Sequence, residues 1–248
     1  MSAEIQHGAE GSLLEGGPSG VLMLHGFTAN PSGLRPFAEH LHARGHTVSV
    51  PRLPGHGTSW EDLEGTTRRD WEAEAQAALT QIAARTERVT IVGLSFGAAL
   101  GLHLAARRPS DVHALVLVNP YVLDRRLAAS RVVKYVRRTV TGVGDDIRKE
   151  GATERPYERV PVRAIPHLAS VLAEARADLP SVRQPLLLVR SAEDHTIPRG
   201  SVDLILRKVG SRERRSIVLG NSYHVAWLDH DAEELFERTH AFIEETAG

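Results

Sequence analysis

The chain has no cysteine. Disulfides, thiolate nucleophiles, Cys-x-x-Cys redox chemistry and cysteine-ligated zinc are therefore excluded. It also lacks an excess of charge. Lys plus Arg number 30 against 31 Asp plus Glu, for a formal charge of −1. That balance argues against a protein built to wrap nucleic acid, whose affinity comes from many neutralised phosphates. The apolar runs, such as VLML, ALVLV and PLLLV, fall far short of the ~20 residues that cross a bilayer. The opening stretch MSAEIQHGAEGSLLEGG has neither a basic n-region nor an apolar h-region and does not read as a signal peptide. A soluble cytoplasmic protein is expected. No internal repeat or low-complexity tract is evident.

What is present is ordinary globular material: 248 residues, 42% hydrophobic and 25% charged, too apolar for a disordered chain. Length alone allows one large domain or two small ones. A chain of this size buries roughly three quarters of its unfolded surface and needs no metal or disulfide staple.

Short β-rich runs alternate with helix-patterned segments, which predicts an α/β fold with a mostly parallel sheet. Strands are read at Gly20–Leu24, Thr47–Val50, Val89–Val92, Ala114–Val118, Leu186–Val189 and Ser216–Leu219. Helices are read at Leu34–Arg44 (stopped by Gly45), Asp70–Arg85, Phe96–Ala106, Val202–Val209 and Ala232–Glu245. The alternation breaks between Tyr121 and Arg183. That stretch has several prolines and no clear strand, and it reads as helices inserted into the sheet domain. Parallel sheets bind ligands beyond the C-terminal ends of their strands. An insertion leaving that rim is well placed to cover a site.

The segment VTIVGLSFGAALGLHLAA sets Gly93-Leu94-Ser95-Phe96-Gly97 between a strand and a helix. A serine on a tight strand-to-helix turn has a strained backbone, so its neighbours two residues away must lack bulk. The turn projects the hydroxyl into a cleft and leaves the Phe96 N–H at a helix N-terminus, where it can bind developing negative charge. A serine nucleophile needs a base, and the base needs an orienter. In this architecture the chain order is Ser, then Asp or Glu, then His. Asp194 lies just past the strand PLLLVRS, with Glu193 as the fallback orienter. His224 lies in the loop before the terminal helix. Both fall on the same rim as Ser95.

The other histidines fit less well. His195 adjoins Asp194 and points away from it in an extended segment. His103 is two turns along the helix after Ser95. His40, His42, His46 and His113 come at the wrong stage of the chain, and His230 reads as surface. The run Asp229-His230-Asp231 lacks metal-ligand spacing and reads as a solvated helix start. A second oxyanion donor is expected from the loop Leu24-His25-Gly26-Phe27-Thr28, at the Phe27 N–H. His25, and His56 in Pro54-Gly55-His56-Gly57, read as structural.

Taken together, LHGF, LPGHG, GLSFG, the Asp of SAEDHTIP and the His of NSYHVAWLD resemble the α/β-hydrolase superfamily. Within it they resemble bacterial carboxylesterases and monoacylglycerol lipases with a small helical cap. The resemblance runs from about Gly20 to the end. It implies a central sheet of about seven strands with helices on both faces, a core of residues 1–120 and 184–248, and a cap of residues 121–183. It implies catalysis by Ser95, Asp194 and His224, an oxyanion hole of the Phe27 and Phe96 N–H groups, no cofactor and no metal. In the lipase members a cap glutamate binds the glycerol head group. Glu154 matches best, with Glu158 the nearby rival. One departure is Ala98, where a second glycine is frequent.

The run Arg125–Arg138 has the pattern of a basic amphipathic helix. A cap helix with solvated arginines is favoured over one that touches anionic lipid, given the neutral whole chain. The expected reaction is hydrolysis of a small carboxylic ester through an acyl-enzyme, with rate lost on acidification as His224 gains a proton. A thioesterase, amidase or carbon–carbon bond hydrolase would use the same triad, and a non-catalytic ligand-binding protein on the same fold is the rival of another class.

Overall fold

In the computed structural model, residues 4–124, 127, 137–198 and 200–247 are described. Seven strands form one sheet in the order β1 (Ser12–Leu14), β3 (Thr47–Val50), β2 (Ser19–Leu24), β4 (Arg88–Leu94), β5 (Ala114–Val118), β8 (Leu186–Ser191) and β9 (Arg214–Leu219). All neighbours are parallel except β1, which pairs antiparallel with β3. The inner strands are apolar on both faces, as strands covered on both sides must be. Leu22, Leu24, Ile91, Leu115, Leu117, Leu186 and Leu188 join one core. Val21, Met23, Val92, Leu94, Val116, Val118, Leu187 and Val189 join the other.

Helices α1 (Arg35–Ala43) and α7 (Ala232–Ala247) cover the second face through Phe37, Leu41, Leu235, Phe242 and Ile243. Helices α3 (Arg68–Ala83), α4 (Phe96–Arg107) and α5 (Ile165–Asp178) cover the first, with Trp71, Leu79, Leu100, Leu104, Leu168 and Leu172. Helix α5 lies inside the insertion read from Tyr121 to Arg183, yet its apolar face is part of this main core. Two further α-helices are short, α2 (Trp60–Glu64) and α6 (Gly200–Lys208).

Three strands and the short helix α2 went unread in the sequence. Strand β1 is three residues long, and so are β6 (Thr139–Thr141) and β7 (Arg159–Pro161), which pair antiparallel inside the insertion. Three residues are too few for a period of two to register. The insertion thus contains strand as well as helix. The helix read from Asp70 starts earlier, at Arg68, because the Asp70 carboxylate accepts the Thr67 N–H at 2.8 Å and serves as the third residue of a capping box. Of the basic run, Arg125, Arg126 and residues 128–136 lie outside the described residues. Arg138 is held by Glu64, at 2.8 Å and 2.9 Å, and lies over the Trp60 ring. No described helix is long and apolar enough to cross a membrane.

Candidate active site

The chain leaves β2 to build β3 on one side, then returns across β2 to lay down β4 on the other. A crevice opens beyond the strand ends where the order reverses. Ser95 stands there, one residue past β4.

Its backbone has φ 55° and ψ −115°, a left-handed conformation costly for a residue with a Cβ. The fold holds it in place. The Ser95 N–H donates to Val118 O at 3.0 Å, and the Ser95 carbonyl accepts from Tyr121 N at 3.1 Å and Ala99 N at 3.3 Å. The glycines of the motif are sterically required. A Cβ on Gly97 would lie 2.1 Å from Leu24 O, and one on Gly93 would lie 2.6 Å from Ala98 N. Ala98 is fully buried, and α4 packs with it in place.

Asp194 follows β8 and His224 follows β9. Their side chains meet, with His224 Nδ1 at 2.8 Å from Asp194 Oδ2. The other carboxylate oxygen accepts the Thr196 and Ile197 N–H groups at 2.9 Å and 2.8 Å. Burial pushes the Asp194 carboxyl up. The His224 hydrogen bond and the two amides outweigh it and hold the group below the usual carboxylate range. An ionised Asp194 places the imidazole proton on Nδ1 and leaves Nε2 free. Glu193 is exposed and makes no hydrogen bond or ion pair with His224 among the described residues.

Ser95, His224, Phe27 and Glu154 line one cavity of about 370 Å³. Among the described residues no hydrogen bond joins Ser95 Oγ to His224. Such links are often open without substrate and tighten in the reacting complex. The Phe27 and Phe96 N–H groups likewise have no protein acceptor among the described residues. Their side chains are locked edge-to-face at 5.8 Å, and each packs edge-on against Trp71, at 5.7 Å and 5.4 Å. Thr28, next along, has φ 68°. Gly26 is not forced by its protein neighbours, since a Cβ there would sit 3.9 Å from Ser95 Cβ. Instead it leaves the cavity open beside the serine.

His25 uses both ring nitrogens. Nδ1 donates to Gly26 O at 2.9 Å and Nε2 accepts from Leu53 N at 3.2 Å. Burial lowers it to about 4. It is a neutral fastener of the loop and no second base. His56 is also buried and held well below the ordinary histidine range, first by desolvation and then by His25.

Glu154 enters the cavity from the insertion. It is 5% exposed, and Oε2 has no hydrogen-bond partner. Burial, then the nearby Asp145, pushes the carboxyl up to about 8. Asn30 donates to its carbonyl at 3.4 Å and Asp145 accepts its N–H at 2.9 Å. Glu158 is exposed and does not line the cavity.

Sequence reasoning missed the supports. Asn119, with φ 43°, donates to His224 O at 2.7 Å and Ser191 Oγ at 3.0 Å, and accepts from Ser191 N at 2.8 Å. Asp229 is not a solvated helix start. It is 2% exposed and accepts the N–H groups of Arg148, Lys149, Tyr223 and His230 at 2.7–2.9 Å. Tyr157 ties the insertion to the rim, donating to Gly55 O and accepting from Thr58 N, both at 2.8 Å. A lone Asn or Asp in a loop carries no periodic signal, so none of these was legible.

The model of the alpha/beta hydrolase family matches residues 21–238. The chain belongs to that family. The hydrolase is similar to the thermostable monoacylglycerol lipase of Bacillus sp. (strain H-257), at 38% identity over 97% of this chain and 96% of that one. It is 24% identical to the carboxylesterase of Bacillus subtilis (strain 168), over 93% and 94% of the two chains. Among solved structures, one reported for LipS and LipT, two metagenome-derived lipolytic enzymes, superposes with TM-score 0.94 at 37% identity, covering 98% of this chain and 100% of that one. The monoacylglycerol lipase of Paleococcus ferrophilus shares the fold, with TM-score 0.81 at 14% identity over 95% and 98%.

Proposed function

We propose that the hydrolase cleaves carboxylic esters through an acyl-enzyme, with monoacylglycerols as its substrate class. The observation that carries this reading is the 2.8 Å Asp194–His224 hydrogen bond at the cavity that Ser95 also lines. His224 Nε2 takes the Ser95 proton as Oγ attacks the ester carbonyl. Asp194 keeps the imidazole in the required tautomer and stabilises its cation. The Phe27 and Phe96 N–H groups donate to the oxyanion, each worth about 2.7–4 kcal/mol by analogy with a measured donor. His224 returns the proton to the leaving alcohol, and water releases the acid by the same steps in reverse.

Glu154 is assigned to the alcohol side. A buried carboxyl that keeps its proton near neutral pH can donate to one glycerol hydroxyl and accept from its neighbour. The insertion, residues 121–183, is the proposed cap. It supplies Val140, Val143, Val160, Val162, Ile165 and Leu168 to the cavity wall, an apolar surface that suits an acyl chain. No lipid-surface role is assigned to the basic run, and the protein is expected to stay in the supernatant when anionic vesicles are pelleted. The proposed location is the cytoplasm, which cell fractionation tests.

The deciding experiment is a substrate panel of p-nitrophenyl esters, mono-, di- and triacylglycerols, a thioester and an amide, run with wild type and Ser95→Ala. Preference for monoacylglycerol is expected. Ser95→Ala should lose about 10⁶-fold in kcat, as measured for a comparable triad, with an unchanged melting temperature. Retained ester turnover in that variant removes Ser95 from the mechanism.

A further inference from the structure

The segment between β6 and β7 carries Asp146, which no motif singles out. Its side chain is 12% exposed and reaches both loops that hold the acid–base pair. Oδ2 accepts the His195 N–H at 3.0 Å and the His224 N–H at 3.2 Å. Oδ1 lies 2.8 Å from His195 Nδ1. The Asp146 carbonyl also accepts the Val225 N–H at 3.1 Å. One residue of the insertion therefore grips His224 itself, the residue after it, and the residue after Asp194.

We infer that Asp146 is a positioning residue for ester cleavage, its carboxylate oxygen bridging two amides and so fixing the separation of the Asp194 and His224 loops. The inference rests on the reading of Ser95, Asp194 and His224 as the reacting groups.

Asp194 and His224 follow different strands, β8 and β9. Those strands pair up to Ser191 and Leu219, and Ala192 N donates to Leu219 O at 2.8 Å. Beyond that point the loops diverge from the sheet. On one side Asn119 fixes the carbonyl of His224 and the end of β8. On the other side stands Asp146. Remove it, and two backbone N–H groups lose their shared acceptor. Ser191 Oγ, which donates to Tyr223 O at 2.6 Å, and the edge contact of the His195 and Tyr223 rings at 4.7 Å still tie the loops, but nothing then fixes the His195 and His224 amides to one another. A displacement of 1 Å at a reacting group costs about 100-fold in rate. The bridge does not touch the ester, so binding should be nearly unaffected.

Substitutions at 146 separate this role from simple support of the fold. Asp146→Ala removes the acceptor. Asp146→Glu keeps the charge but carries the oxygen one methylene too far. Asp146→Asn keeps an oxygen that can accept both amides. Each variant is assayed on p-nitrophenyl butyrate, with kcat divided by the sites titrated with a fluorophosphonate, so that misfolded protein drops out. The expected result is a loss of tenfold or more in kcat per site for Ala and Glu. KM should stay within threefold, and Asn should recover to within threefold of wild type. A merely structural residue would lower the melting temperature and the number of titrated sites while leaving kcat per site intact, and that result overturns the inference. So does an Asn variant as slow as the Ala variant, which would assign the effect to charge. If Asp146→Ala yields no folded protein, the Glu and Asn variants carry the comparison on the same terms. Ser95→Ala, run in parallel, separates the two layers. Turnover in that variant brings down the assignment of the reacting groups. An inert Ser95→Ala beside a fully active Asp146→Glu brings down only the role of Asp146.

Discussion

Two buried side chains at the site should bend the stability of the protein with pH in opposite directions. Glu154 is raised to about 8 by burial and then by Asp145, so the folded state keeps a proton that the unfolded chain releases above its ordinary value of 4.5. Stability from this group is full below that value and is lost as pH rises towards 8. Glu154→Gln, neutral at every pH, should therefore gain on wild type as pH rises over this window. The gain should reach a few kcal/mol, since each tenfold difference in proton affinity is worth about 1.4 kcal/mol. Denaturant melts at pH 5 and pH 8.5 measure it, and equal differences at the two values would refute the assignment. Glu154→Ala, which removes both the donor and the acceptor, should raise KM for monoacylglycerol while sparing p-nitrophenyl esters, whereas Glu154→Gln should keep most of the binding. His25 behaves in reverse. Burial lowers it from 6.5 to about 4, so its contribution is present above 6.5 and is lost as pH falls to 4. Wild type should weaken on acidification through that range, and His25→Gln should show a shallower slope, the part due to His56 remaining.

Among the elements, the β4–α4 turn is the least forgiving. Gly97→Ala would put a methyl 2.1 Å from Leu24 O, a backbone atom of the next strand. It should abolish soluble expression or remove most of the melting temperature. Gly101→Ala on the same helix meets only the Ile91 Cγ2 methyl at 2.9 Å. That methyl sits directly on the Cβ of a fully buried strand residue and has little room to yield, so Gly101→Ala should cost several degrees by differential scanning fluorimetry, yet less than Gly97→Ala, which meets backbone. This contrast also explains what the sequence made legible. Gly93 answers to local sterics, against Ala98 N, and Gly97 to Leu24 O on the neighbouring strand, yet their spacing about Ser95 is visible in the sequence as a motif. The same holds for Ser95, Asp194 and His224, whose chain order follows from the strands they end. Asn119, Asp146 and Asp229 act through distant backbone amides, and nothing in their own neighbourhoods marks them. Strands β6 and β7 were hidden for a related reason. At three residues each, they are specified by the partner across the ribbon and by the rim beneath, not by an internal pattern.

Across the whole molecule, three of the sparse aromatic residues are gathered beside the cavity. Aromatics make up 5% of the chain, yet Phe27, Trp71 and Phe96 meet in one edge-to-face cluster. Trp71 belongs to α3, a helix that contributes none of the proposed reacting groups. The insertion is likewise bound to the rest, through Tyr157 at the rim, α5 in the core and Asp229 beneath the histidine loop. Asp229→Ala strips four charge-assisted bonds, each worth about 1.5–3 kcal/mol. It should lower both stability and turnover, as denaturant melts and ester assays would show.

That buried carboxylate at 229 has a thermal consequence. It fastens Arg148 and Lys149 to Tyr223 and His230, so these amides are shielded from solvent by one shared anchor. On warming they should trade their protons for deuterium together, as a single opening, before the strands of the sheet begin to exchange. Inactivation by heat should then track that opening, and the enzyme should fall silent while most of its hydrogen-bonded ladder is still intact.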